Sequence, residues 1–144
     1  MLIIFNHFWI ALAVSFNEHF SIDHTIVYLS GIVVAGMVGA YCILKLKSLE
    51  KNVTLDRFQG HSWEHPRLAL VFFLTCLGLT GFPISPTFIG EDVIFSHIHD
   101  NQVLLAGMTA LSLIIDGLAI IRIYSRLFMG QHVKSYHEVA YRSS

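Results

Sequence analysis

The sequence predicts an all-α integral membrane protein of about four transmembrane helices, the third broken at Pro83 and Pro86. Three observations carry that expectation. Of 144 residues, 54% are hydrophobic and only 13% charged, against about 25% charged in soluble domains. Thr25 to Leu44 and Leu68 to Gly90 run without a charge, each near the roughly 20 residues a helix needs to cross hydrocarbon. The second run holds two prolines and is followed at once by Glu91 and Asp92.

The expected spans are about 1–17, 25–46, 68–99 (discontinuous) and 103–128, followed by a polar tail at 131–144 too short for a domain. The first is uncharged and lacks the basic start and small-residue cleavage site of a secretory signal. Its His7, beside Phe8 and Trp9, fits an interfacial aromatic belt. The second span carries Gly31, Gly36 and Gly39 with Ser30 and Ala35, a small-residue face suited to close helix packing. Cys42 and Cys76 lie in different spans without a paired spacing, and read as packing residues. In the loop that follows, SLEKNVTLDRF admits a short surface helix or a plain solvated loop. Pro66 turns His65 away from helical geometry and opens the third span. The fourth span contains Asp116, Arg122 and Arg126, so its apolar part ends near Ile121 unless the arginines snorkel to the surface. No internal repeat divides the chain, which reads as one membrane unit.

Charge orients these spans. Lys45, Lys47, Lys51, Arg57 and Arg67 lie between the second and third, and Arg122, Arg126, Lys134 and Arg142 at or beyond the end of the fourth. The other loops have no Lys or Arg, only Glu18, His19, Asp23 and His24, then His97, His99 and Asp100. Basic residues mark cytoplasmic loops, so both termini are expected in the cytoplasm. A net charge of −1 gives no nucleic-acid footprint.

The third span carries the chemistry. Pro83 cannot donate the next helical hydrogen bond, while Ser85 and Pro86 offer an N-cap and a first helical residue. Two half-helices are expected, about Leu68 to Phe82 and Pro86 to His99, joined by a hinge whose backbone must be buried against protein or line a wet cavity. Glu91 and Asp92, 100° apart on the second half, cannot share one environment. A carboxylate in mid-membrane costs about 2.5–3.5 kcal/mol on insertion scales. Glu91 therefore needs a cationic partner, water or a proton, and is either a proton-relay site or a structural carboxylate at an interface. Asp116 is not an intrahelical partner of Arg122 and should look to another helix or to water, as relay or packing residue. His97 and His99 can pass protons to the outer surface or simply occupy the interface. His61 and His65 flank Glu64 but give no metal-ligand frame or enzymatic constellation. No metal or cofactor is expected.

Three ordered motifs add a resemblance. LDRFQGHSWEHPRLAL, LTCLGLTGFPISPTFIGEDVIF and LAIIRIYSRLFMG resemble, in that order, the connection, the discontinuous helix and the following helix of the antiporter-like subunits of NADH-quinone oxidoreductase and Mrp-type antiporters. The resemblance implies a proton- or cation-translocating subunit, with Glu91 at the position of the family's second-half ionisable group and Arg122 on its aromatic-Arg motif. It transfers no role to Asp116. Members have about fourteen spans, so the chain is expected to be the C-terminal third of such a subunit, not an enzyme on its own. Its partners would be the lipid bilayer and either other membrane subunits or the missing N-terminal part. A bacterial inner membrane is the expected location. The alternative is a small structural or assembly subunit that docks partner helices.

Overall fold

The computed structural model of the chain describes residues 2–18, 20–50 and 52–131. His19, Lys51 and the tail with Lys134 and Arg142 lie outside the described residues. Among the described residues five helices follow one another: α1 (Leu2–Val14), α2 (Ile22–Leu49), α3 (Pro66–Leu79), α4 (Pro86–Ser96) and α5 (Val103–Phe128). There is no strand among the described residues. α2 and α5, of 28 and 26 residues, are long and apolar enough to cross a membrane. α1 has 13 residues, about 20 Å of helix, short of the roughly 30 Å of hydrocarbon.

α2 is the central element. Ser21 caps it: its hydroxyl accepts the His24 N–H, and His24 Nδ1 accepts the Ser21 N–H in return. This box starts the helix three residues before the expected Thr25. The small-residue face serves three neighbours rather than one. A Cβ on Gly31 would lie 2.6 Å from Thr87 Oγ1 of α4, one on Gly39 2.8 Å from Thr75 Cγ2 of α3, and one on Gly36 would collide with Ile4 of α1. α4 returns the approach at Gly90, whose missing Cβ lets it rest on the Tyr28 backbone.

Two apolar cores result. One holds Ile10, Ala11, Val14, Tyr28, Ile32 and Ile94, between α1, α2 and α4. The other joins α2, α3 and α5 and includes Cys42, Leu46, Phe72, Cys76 and Phe128. Both cysteines are free and buried there. Large apolar side chains stay exposed elsewhere, among them Ile84, Leu104, Leu118 and Ile121, as a lipid-facing surface requires.

The loop before α3 contains no helix among its described residues. It caps α5 instead. The carbonyls of Arg126, Leu127, Phe128 and Met129 accept the amides of Gln59, His61, Ser62 and Gly60 at 3.0 to 3.2 Å, satisfying groups that a helix end leaves orphaned. Arg126 also donates to the Asp56 carbonyl and stacks over Phe58 at 4.5 Å. Gly60, at φ +66°, sits where a Cβ would be 2.6 Å from the Gln131 carbonyl oxygen.

Candidate functional site at the helix break

α3 ends at Leu79, four residues before the proline expected to stop it. The stop is Gly81, at φ +66°. The Phe82 N–H reaches back to the Leu77 carbonyl at 3.1 Å and the Thr80 N–H to Cys76 at 3.0 Å, which is a glycine C-cap of the Schellman kind. Pro83 lies beyond it, as prolines commonly do after such a cap. The restart is as expected: Ser85 caps α4, its hydroxyl accepting the Phe88 N–H and donating to the Phe82 carbonyl, with Pro86 at the first helical position.

Glu91 sits in the second turn of α4, half-buried. Its side chain folds back over the hinge, so that a Cβ on Gly81 would overlap its carboxylate. The ionisable group and the left-handed glycine are in direct contact. Among the described residues, no hydrogen bond or ion pair holds this carboxylate. Asp92, the next residue, is exposed and outside the site.

Beside the hinge, α1, α2 and α5 assemble a polar file. Tyr28 is fully buried, its backbone against Gly90 next to Glu91. Its hydroxyl is 2.7 Å from His7 Nδ1. The other imidazole nitrogen, His7 Nε2, is 3.5 Å from Asp116 Oδ2, an ionic approach too long for a good hydrogen bond. Asn6 Nδ2 donates to the same oxygen at 2.8 Å, and Asn6 exchanges bonds with Ser112 at 3.0 and 3.1 Å. A neutral ring that accepts from the phenol at Nδ1 presents Nε2–H to Asp116. Phenol and imidazole are thus hydrogen-bonded, and the Asp116 carboxylate stands beyond the ring at 3.5 Å.

Of the expected site residues, the structure brings Glu91 to the hinge and Asp116 across to α1, and leaves Asp92 and His99 exposed. His97 is half-buried at the end of α4. Its ring meets that of His24 at a tilt and that of Phe20 edge-on, at 4.5 and 5.3 Å between centroids, and its carbonyl accepts from Asn17 at 2.8 Å. His7 is not on the surface: it is 1% exposed, with Tyr28 and Asp116 against its two ring nitrogens. Tyr28 and His7 carry no site expectation: the sequence places His7 in an aromatic belt, and a lone phenol in an apolar helix forms no pattern. The Asn6-His7 pair in an uncharged span was the available signal.

The family described as NADH:quinone oxidoreductase/Mrp antiporter, transmembrane, matches residues 6–115. The chain belongs to this family. Similar to it are NADH-ubiquinone oxidoreductase chain 4 of Dictyostelium citrinum, 38% identical over 44% of this chain and 15% of the relative, and its Dictyostelium discoideum counterpart, 36% identical over 44% and 12%. NADH-quinone oxidoreductase subunit N of Cytophaga hutchinsonii is 24% identical over 76% of this chain and 24% of the relative. The chain therefore spans less than a quarter of the length of these curated relatives. No solved structure matches it. Membership of this antiporter family makes it a membrane protein related to subunits of respiratory complexes.

Proposed function

We propose that the chain forms the C-terminal membrane portion of a proton- or cation-translocating antiporter-like subunit in an NADH-quinone-oxidoreductase-related complex, with Glu91 as its ionisable relay. The observation that carries this is the contact between the Glu91 carboxylate and Gly81 at the break. A charge change on Glu91 acts directly on the hinge, and the hinge position sets what Glu91 can reach. Tyr28, His7 and Asp116 continue the relay toward α5, and His97 lies at the outer end of α4. In this reading α1, the α3–α4 pair, α2 and α5 make four crossings, with both termini in the cytoplasm of a bacterial inner membrane. The partners are the remaining helices of the subunit and neighbouring membrane subunits.

The test is Glu91→Gln in the assembled complex. Expected are normal assembly and a loss of proton pumping of tenfold or more in reconstituted vesicles; unchanged pumping would sink the relay. The same contact also suits a second reading, in which Glu91 is a wedge that sets the shape of a docking surface. That reading expects the variant to lose co-purifying subunits while the complexes that do assemble pump normally.

A further inference from the structure

Away from the hinge, where α2 stops and α3 starts, one group of side chains has the composition of a metal site. We propose that Glu50, Glu64 and His65 bind a divalent cation of the zinc type. One donor atom from each lies within 4.8 Å of the others, and His65 Nε2 is 2.9 Å from Glu50 Oε1. All three residues are half-buried, unlike the solvated acids Asp56 and Asp100.

The fold fixes their backbones. Glu50 is the C-cap of α2, its N–H bonded to the Leu46 carbonyl at 2.8 Å. His65 donates its N–H to His61 and accepts from Ala69, both at 2.9 Å, and Pro66 restricts it further. The carbonyl end of α2 adds partial negative charge beside Glu50, which favours a cation.

One imidazole and two carboxylates fill three places of a tetrahedral site and leave the fourth for water. The mixed nitrogen and oxygen set suits zinc better than magnesium or calcium, which prefer all-oxygen shells. With bonds of about 2.0–2.1 Å, tetrahedral donors stand roughly 3.3–3.4 Å apart. The His65–Glu50 pair is already inside that distance. No pair has to close by more than about 1.5 Å, within reach of a carboxylate turning about its own torsions. The ion takes the Nε2 lone pair of a neutral ring whose proton is on Nδ1, and any proton shared between Nε2 and Glu50 leaves to solvent.

The experiment is titration of ZnCl2 into the purified membrane complex containing the chain, read by equilibrium dialysis and zinc-edge X-ray absorption. Expected is one site, with an imidazole in its first shell, whose affinity falls tenfold or more in Glu64→Gln and in His65→Gln and is unchanged in Asp56→Asn. Glu64→Gln keeps the shape of the side chain and leaves the His65–Glu50 pair in place, so it decides even if His65→Gln fails to assemble. Undiminished affinity in Glu64→Gln, or bound zinc without imidazole scattering, overturns the proposal and leaves only a hydrogen-bonded histidine–carboxylate pair.

Discussion

Two helix ends in this molecule solve the same problem in opposite ways. α5 stops beside Gly130 and has its last carbonyls taken by amides of a loop far away in sequence. α3 stops beside Gly81 and has its carbonyls taken by the next residues of its own chain. The first end cannot move without unpacking the loop that leads into α3. The second is tied only to residues close in sequence, and it is the one that Glu91 folds onto. An end clamped by a distant loop and an end capped locally thus coexist, and the Glu91 carboxylate lies at the locally capped one.

The largest effect should come from breaking the clamped end. Gly60→Ala puts a Cβ 2.6 Å from a backbone carbonyl oxygen, which cannot rotate away, at φ +66°. The left-handed conformation costs about 1–2 kcal/mol. Each of the amide bonds then strained is worth about 0.5–1.5 kcal/mol, so a loss of several kcal/mol is expected. Amide exchange at residues 59–62 in the reconstituted protein should lose its protection. Gly81→Ala meets instead the end of a side chain, the Glu91 carboxylate. It should cost little beyond the backbone term, about 1–2 kcal/mol, and yet reduce pumping more than Gly60→Ala does per assembled complex. Equal effects of the two on both stability and pumping would abolish the distinction between the ends.

The next effect lies in the file beside the hinge. Tyr28→Phe removes the hydroxyl that bonds His7 Nδ1 and leaves a buried ring nitrogen without a partner, at about 1–3 kcal/mol. Thermal unfolding of the purified complex should show the loss, and pumping should fall while Glu91 stays in place. Pumping that survives the substitution in full would confine the relay to the hinge.

These two ends were not equally legible. The restart of α4 could be read from Ser85 and Pro86, since a cap followed by proline is local chemistry. Proline is the louder signal and puts the expected stop of α3 at Pro83, although a Gly followed two residues later by Pro, as at Gly81, is the usual helix ending. α5 is legible as residues 103–128, its observed bounds, because apolar residues continue past Asp116 and Arg122 to Phe128. The loop that caps it was not, because amides pairing with carbonyls far along the chain leave no periodicity. For the same reason Asp116 could be said to look across to another helix, but not to Asn6 and His7 of α1. Glu91 was identified from its place after the break; its contact with Gly81 depends on a rotamer that no pattern encodes.

The smallest effect should come from Asp92, and it sharpens the contrast most finely. Glu91 and Asp92 are adjacent, carry the same charge and stand in the same turn of α4, yet one folds onto the hinge and the other is exposed. If the second half-helix worked through its net charge, Asp92→Asn and Glu91→Gln would be equivalent, since each removes one negative charge at the same height. If the contact with the hinge is what matters, only Glu91→Gln should alter pumping, and Asp92→Asn should leave assembly, stability and pumping unchanged. Vesicle pumping measured side by side on the two variants separates the cases: a shared defect points to the field of the helix, and a defect in Glu91→Gln alone points to the contact at Gly81.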